Sequence, residues 1–188
     1  VLAGSIDPDE QVGSVNIDYV AAVKDETLKL IKNGHDKVAF VCGSLKFPIN
    51  SKYRLCGYKD ALNEAGIAYD ESLIFETEYS YSAGEALFSK IKATGATAAV
   101  VSDDELAVGV LNGAVDAGVQ IPAEFEVVTS NNTKLTEMVR PKMTSISQPL
   151  YDMGAVAMRL LTKMMNKEDV NDKTILLPYS IVARESTK

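Results

Sequence analysis

Polar side chains gather just after the short apolar runs of this sequence, and their types suit gripping a small ligand. Arg54 lies on the first turns of the helical stretch that follows Gly43-Ser44-Leu45. Glu76, Glu78 and Tyr79 follow Leu73-Ile-Phe75; Ser102, Asp103 and Asp104 follow Val101; Ser130, Asn131 and Asn132 follow Val128-Thr129. A guanidinium, an aromatic ring, carboxylates and amides together can hydrogen-bond and stack on a sugar or nucleobase. A plainer reading stands beside it. Asp103 or Asp104 can serve as a helix N-cap, and Asn131-Asn132 can simply make a turn.

Catalytic arrangements are much poorer. There is a single histidine, His35, placed after a helix-ending glycine and before the next strand, where a structural role is expected. Without a second histidine, no Ser-His or Cys-His pair can be assembled away from it. Gly-rich phosphate loops and the GxSxG nucleophile turn are missing. Asp103-Asp104 has the acidic character of a phospho-receiver, but Asn131-Asn132 stands where such a protein needs a lysine. Cys42 and Cys56 have neither CxxC nor metal-ligand spacing, which fits a reduced, cytoplasmic chain. No enzyme activity, cofactor or metal is expected.

A second constellation lies on the helical stretch 150–166. Asp152, Val156, Arg159 and Lys163 step by four, three and four residues and share one face. Met153, Ala157, Leu160, Leu161 and Met164 make an apolar face. Arg159 and Lys163 are then neighbours, a fork for a phosphate or carboxylate. Spacing alone equally allows an ordinary solvated face.

The elements that must position these groups alternate. Apolar runs at 38–42, 98–101, 126–129 and, more weakly, 73–75 read as buried strands. Helical segments at 19–33, 51–65, 82–94 and 104–117 run up to Gly34, Gly66, Gly95 and Gly118, a consistent C-terminal signal. Strand–helix alternation of this size predicts an α/β fold, a parallel sheet with helices on both faces. In such sheets ligands sit at the carboxyl ends of the strands. Residues 143–146 read as a further strand. The run 174–183 reads as one strand bent or pushed to an edge by Pro178. With the short strand at 1–4, it is expected to belong to a second, incomplete lobe.

The 188 residues are 46% hydrophobic and 24% charged, ordinary globular values that exclude disorder and disulfide-stapled mini-proteins. Net charge is -7, which argues against this piece itself gripping a polyanion. The sequence opens on Val1 rather than Met and runs straight into apolar residues, as expected of the interior of a longer protein.

The order of several motifs resembles the effector-binding core of the lactose- and purine-repressor family. They are Asn33-Gly-His35 before Val38-Ala-Phe-Val41, Arg54-Leu-Cys-Gly-Tyr58, Ser102-Asp-Asp-Glu-Leu-Ala-Val-Gly109 and Gly118-Val-Gln-Ile-Pro122. The likeness spans nearly the whole chain. Met138-Val-Arg-Pro141, Gln148 through Leu161 and Arg184-Glu-Ser-Thr-Lys188 are most similar to the catabolite-control branch of that family in Gram-positive bacteria.

This resemblance implies a periplasmic-binding-protein-like core, with one full lobe and part of a second. Residues 1–16 would be a remnant of the N-terminal lobe, 17–148 the C-terminal lobe, and 149–188 a return to the N-terminal lobe. It also implies a cytoplasmic repressor, dimeric when full length, that binds DNA through a helix-turn-helix head outside this chain. Its small-ligand contacts would fall on Arg54, Tyr79, Asp103 and Asn131. Asn131 stands where the family usually has an Asp, and an amide is a weaker grip on sugar hydroxyls. The coregulator of the catabolite-control branch is the serine-phosphorylated, histidine-containing phosphocarrier protein. Its docking residues would fall on Tyr151, Asp152, Val156, Arg159 and Lys163, with Arg159 and Lys163 on the phosphoserine. Ser180 replaces a further family arginine. A sugar-binding protein of a transport system is the alternative with the same fold.

Overall fold

A computed structural model describes residues 1–5, 11–46 and 51–188. The chain folds as two compact units. One holds Val1–Asp18 and Gln148–Ser180, and the other holds Tyr19–Ser147 and Ile181–Lys188.

The larger unit is built in chain order from α1 (Tyr19–Lys32), β3 (Val38–Cys42), α2 (Tyr53–Glu64), β4 (Ile74–Glu76), α3 (Tyr81–Ala93), β5 (Ala98–Val101), α4 (Asp104–Asp116), β6 (Glu126–Thr129), α5 (Leu135–Met138) and β7 (Thr144–Ser147). The smaller contributes β1 (Leu2–Ala3), β2 (Ser14–Ile17), α6 (Leu150–Met165) and β8 (Thr174–Leu177), and β9 (Ser180–Val182) follows. Among the described residues the larger sheet has six strands in the order β4-β3-β5-β6-β7-β9. Its pairings from β4 through β7 are parallel. The three-stranded sheet β1-β2-β8 is parallel as well.

Buried strands explain the continuous apolar runs, because helices cover both faces of the larger sheet. Ala39, Val41, Ala99, Val101 and Val127 share one cluster with Leu87, Phe88, Ile91, Leu106 and Val110 from α3 and α4. The alternate residue Phe40 meets Tyr58 of α2 with ring centroids 5.4 Å apart, and the Tyr58 hydroxyl donates to the Val38 carbonyl at 2.7 Å. The glycines that close the helices have the left-handed backbone such ends require, 98° in φ at Gly34 and 74° at Gly118. Two helix pairs cross closely. A methyl group at Gly84 or Gly109 would collide with the Leu106 or Tyr81 carbonyl, joining α3 to α4, and one at Gly57 would strike the Val20 carbonyl of α1.

Three features differ from the sequence expectation. The strand β2 carries no apolar run to mark it, because two of its four residues, Ser14 and Asn16, are polar yet buried; Asn16 Nδ2 donates to the Ser5 carbonyl at 2.9 Å. The run 174–183 is two strands rather than one bent strand. Pro178, which cannot donate to a ladder, separates β8, paired with β2, from β9 at the edge of the other sheet. Residues 181–188 lie with the larger unit instead of returning to the smaller one. Ser186 Oγ donates to the Val127 carbonyl at 2.5 Å and accepts from the Thr144 amide at 2.9 Å, so the tail is laced to β6 and β7.

His35 has the structural place expected of it, buried before β3, with Nδ1 2.8 Å from Thr97 Oγ1 and Nε2 3.2 Å from Glu126 Oε1.

Two tests follow from this packing. Gly84→Ala should cost roughly 1–3 kcal/mol of unfolding free energy, read as a lower urea midpoint at unchanged slope. Glu26 is buried on α1, and burial raises its pKa above the usual 4.5, with Lys29 opposing and Asp25 assisting. Its contribution to stability is therefore full below the unfolded-state value and is lost as pH rises through the raised folded value. Glu26→Gln should raise the melting temperature at pH 8 and leave it nearly unchanged at pH 4.

Candidate functional site

The order β4-β3-β5 places the second and third strands of the larger sheet on opposite sides of the first. The crevice of such a sheet lies where the connections diverge, at the carboxyl ends of β3 and β5. Gly43 and Ser102 leave those two strands, and the residues picked out from sequence converge on them.

Arg54 is 4% exposed, with its guanidinium carbon 4.8 Å from the centre of the Tyr19 ring. Burial lowers its pKa, opposed by Tyr19, Tyr79, Asp103 and Asp104, all close enough to be felt. Tyr79 lies in the turn between β4 and α3. Its hydroxyl is 3.2 Å from Ser51 Oγ and accepts from Ser102 Oγ at 3.4 Å. Burial pushes the neighbouring Cys42 thiol up to about 11, so it stays protonated and inert near neutral pH.

The two aspartates divide the roles proposed for them. Asp103 is the N-cap of α4, its Oδ1 accepting from the Glu105 and Leu106 amides at 2.9 and 3.2 Å. Its second oxygen accepts from Asn131 Nδ2 at 3.4 Å. Asp104 is buried; Oδ1 accepts from the Thr129 hydroxyl at 2.8 Å and Oδ2 from the Thr133 amide at 2.7 Å. Asn132 is the turn residue, with φ of 53°, a conformation asparagine tolerates. Its amide oxygen accepts from Arg184 Nη2 at 2.7 Å. Arg54, Tyr79, Asp103 and Asn131 thus share one end of the sheet, whereas Glu76 and Glu78 stay on the exposed surface. Sequence reasoning missed Tyr19, Ser51 and Arg184 here. Nothing in the order of residues marks Tyr19 or Ser51, and Arg184 stands out only as part of the closing motif.

The second constellation lies within the smaller unit. Met153 and Leu160 of α6 are buried, while Ala157, Leu161 and Met164 of the same apolar face are half-buried. Asp152, Arg159 and Lys163 are exposed, Val156 is half-buried and Tyr151 is 87% exposed. Val156, Arg159 and Lys163 border a groove of about 500 Å³ whose far wall, Asp169 to Asp172, carries two carboxylates. Among the described residues neither Arg159 nor Lys163 is held in an ion pair. Ser180 is exposed at the start of β9. No group of residues able to hold a metal ion occurs among the described residues, and no described helix is long and apolar enough to cross a membrane.

A model of the periplasmic binding protein-like domain matches residues 27–187, and the chain belongs to that family. Within it, the similarity is to transcription regulators of the lactose-repressor type. Catabolite control protein A of Streptococcus mutans is 50% identical over 188 residues, covering 100% of this chain and 56% of that protein. The crystal structure of the transcription regulator CcpA of Lactococcus lactis superposes with a TM-score of 0.93 at 49% identity, over 98% of this chain and 68% of that one. The complex of the transcriptional regulator CelR with cellobiose gives 0.88 at 30% identity, over 95% and 55%. The chain spans little more than half the length of the curated relatives it matches.

The division between the aspartates can be measured by chemical denaturation. Asp103→Ala should cost about 1 kcal/mol, the worth of a cap. Asp104→Ala should cost about 3 kcal/mol, because it leaves a buried hydroxyl and an amide without their charged acceptor. Equal losses would show that Asp104 does not hold the turn.

Proposed function

We propose that this chain is the effector- and coregulator-binding core of a DNA-binding regulator of carbon catabolite control. In this reading it is cytoplasmic and works by docking the serine-phosphorylated, histidine-containing phosphocarrier protein on α6. The single observation that carries the docking is the exposed face of that helix. Two cations one turn apart, outside any ion pair among the described residues, share the helix with a half-buried valine and, more than two turns nearer its start, an exposed tyrosine. Arg159 and Lys163 take the phosphoserine, for which a paired guanidinium and ammonium suit a dianion. Tyr151 and Val156 supply apolar contact, and Asp152 meets a cation of the partner. Ser180 offers no charge where the catabolite-control branch has an arginine, so the clamp relies on α6.

DNA is contacted by a helix-turn-helix head outside these residues, in keeping with a net charge of -7 here. Two copies associate in the full protein; Met138, 73% exposed on α5 beside Leu135, offers apolar surface for that. The docked partner shifts the regulator toward the arrangement it binds better, since only differential affinity can move such an equilibrium. A small sugar or sugar phosphate is a second ligand, with Arg54, Asp103 and Asn131 as polar contacts and Tyr79 as the stacking ring. The relative described as a cellobiose complex favours that part of the reading. A transport-system binding protein is the weaker alternative, because the relatives compared above are transcription regulators.

Arg159→Ala should weaken binding of the serine-phosphorylated phosphocarrier by roughly 1.5–3 kcal/mol in calorimetry, the range of a charge-assisted contact. The unphosphorylated partner should be nearly indifferent to the change. Unchanged affinity for the phosphorylated form would sink the docking on α6.

A further inference from the structure

We propose that Tyr79 is a lid over the crevice at β3 and β5, pinned by its own hydroxyl, so that a small ligand enters only by displacing the ring. This rests on the crevice being the small-ligand place of the preceding section.

The directions of the hydrogen bonds define the pin. Ser51 has one hydroxyl hydrogen and donates it to the Gly43 carbonyl at 2.9 Å. Its 3.2 Å contact with Tyr79 therefore has the tyrosine as donor. The Tyr79 oxygen in turn accepts from Ser102 Oγ at 3.4 Å. A chain thus runs from Ser102 through Tyr79 and Ser51 to the Gly43 backbone, and the phenol is its middle link. Both serines are buried, with relative exposures of 1% and 2%, so without the phenol they would lose their shared partner.

The ring occupies the space next to the backbone. A β-carbon at Gly43 would lie 2.5 Å from two Tyr79 ring atoms and 2.9 Å from its hydroxyl oxygen. Glycine at this position lets the ring settle onto the end of β3. Yet Tyr79 is 40% exposed, so it is a cover with one side to solvent rather than a core residue. The groups around it are also bound internally: Asp103 caps α4 and accepts from Asn131, while Arg54 stacks on Tyr19. A sugar hydroxyl would have to take the tyrosine's place between Ser51 and Ser102. The lid therefore discriminates against weak polar ligands.

The test uses p-cresol, which carries the same ring and hydroxyl as the side chain, and 3-fluorotyrosine labelling of the 188-residue chain. The ¹⁹F resonance of Tyr79, assigned by its disappearance in Tyr79→Phe, should be displaced from the solvent-exposed value. It should move toward that value in the Ser51→Ala/Ser102→Ala double variant. Thermal melts should show p-cresol stabilising Tyr79→Gly and not the wild type, since removal of a ring leaves a cavity that binds its like. A wild-type resonance already at the exposed value overturns the lid, even if Tyr79→Gly does not fold. Equal stabilisation of wild type and Tyr79→Gly by p-cresol overturns it too. A displaced resonance with p-cresol binding to Tyr79→Gly, but no binding of glucose 6-phosphate to the Ser51→Ala/Ser102→Ala variant, which keeps the stacking ring, supports the lid and counts against the small-ligand reading alone.

Discussion

The buried carboxylate of Asp104 is the constraint on which the ligand end of the larger unit depends. An ionised carboxylate out of water is costly unless its oxygens are filled. Here one takes the Thr129 hydroxyl and the other the Thr133 amide. Those two bonds fix the turn between β6 and α5 against the start of α4. With that turn in place, Asn131 reaches Asp103 and Asn132 receives Arg184, so the residues at the mouth of the crevice inherit their positions from a charge that never meets solvent. Half-buried Asp103 could be replaced with a local loss; Asp104 organises three elements at once.

Much of this architecture could be read in the order of residues. The helix-ending glycines and the apolar runs between them delimit β3, β5, β6 and α1 to α4 within a residue or two, because burial on both faces leaves little room for polar residues. The gathering of Arg54, Tyr79, Asp103 and Asn131 at one sheet end follows from the parallel order, which sends every strand end the same way. What stayed hidden depends on tertiary partners. Ser14 and Asn16 look like loop residues until a neighbouring strand and the Ser5 carbonyl accept them. Ser51 is an unremarkable hydroxyl until Tyr79 closes over it, and Tyr19 is only the opening residue of a helix until a guanidinium rests on its ring.

The two surfaces singled out differ in how their polar groups are used. At the sheet end Tyr79, its two serines, Asp103 and Asn131 are matched internally, so binding to them must exchange one set of bonds for another. On α6 the cations point outward without ion-pair partners among the described residues. Their charge is tempered by the carboxylates across the groove, which would also repel a partner's unneutralised acidic surface. In an otherwise acidic chain, that contrast makes a small positive patch selective for a concentrated anionic group.

The tail that laces β6 to β7 bears on how the protein is made. Its residues, 181–188, come after the whole of the segment 148–180, which belongs to the other unit. During synthesis the edge of β7 therefore stays bare while α6 and β8 emerge and fold elsewhere. Only then do Arg184 and Ser186 arrive to complete the ladder. Contacts so distant along the chain are slow to form, and an uncovered parallel edge in the interval is open to pairing with a neighbouring chain. The larger unit is thus completed by residues made after the intervening segment of the smaller one, so its assembly waits on that part of translation.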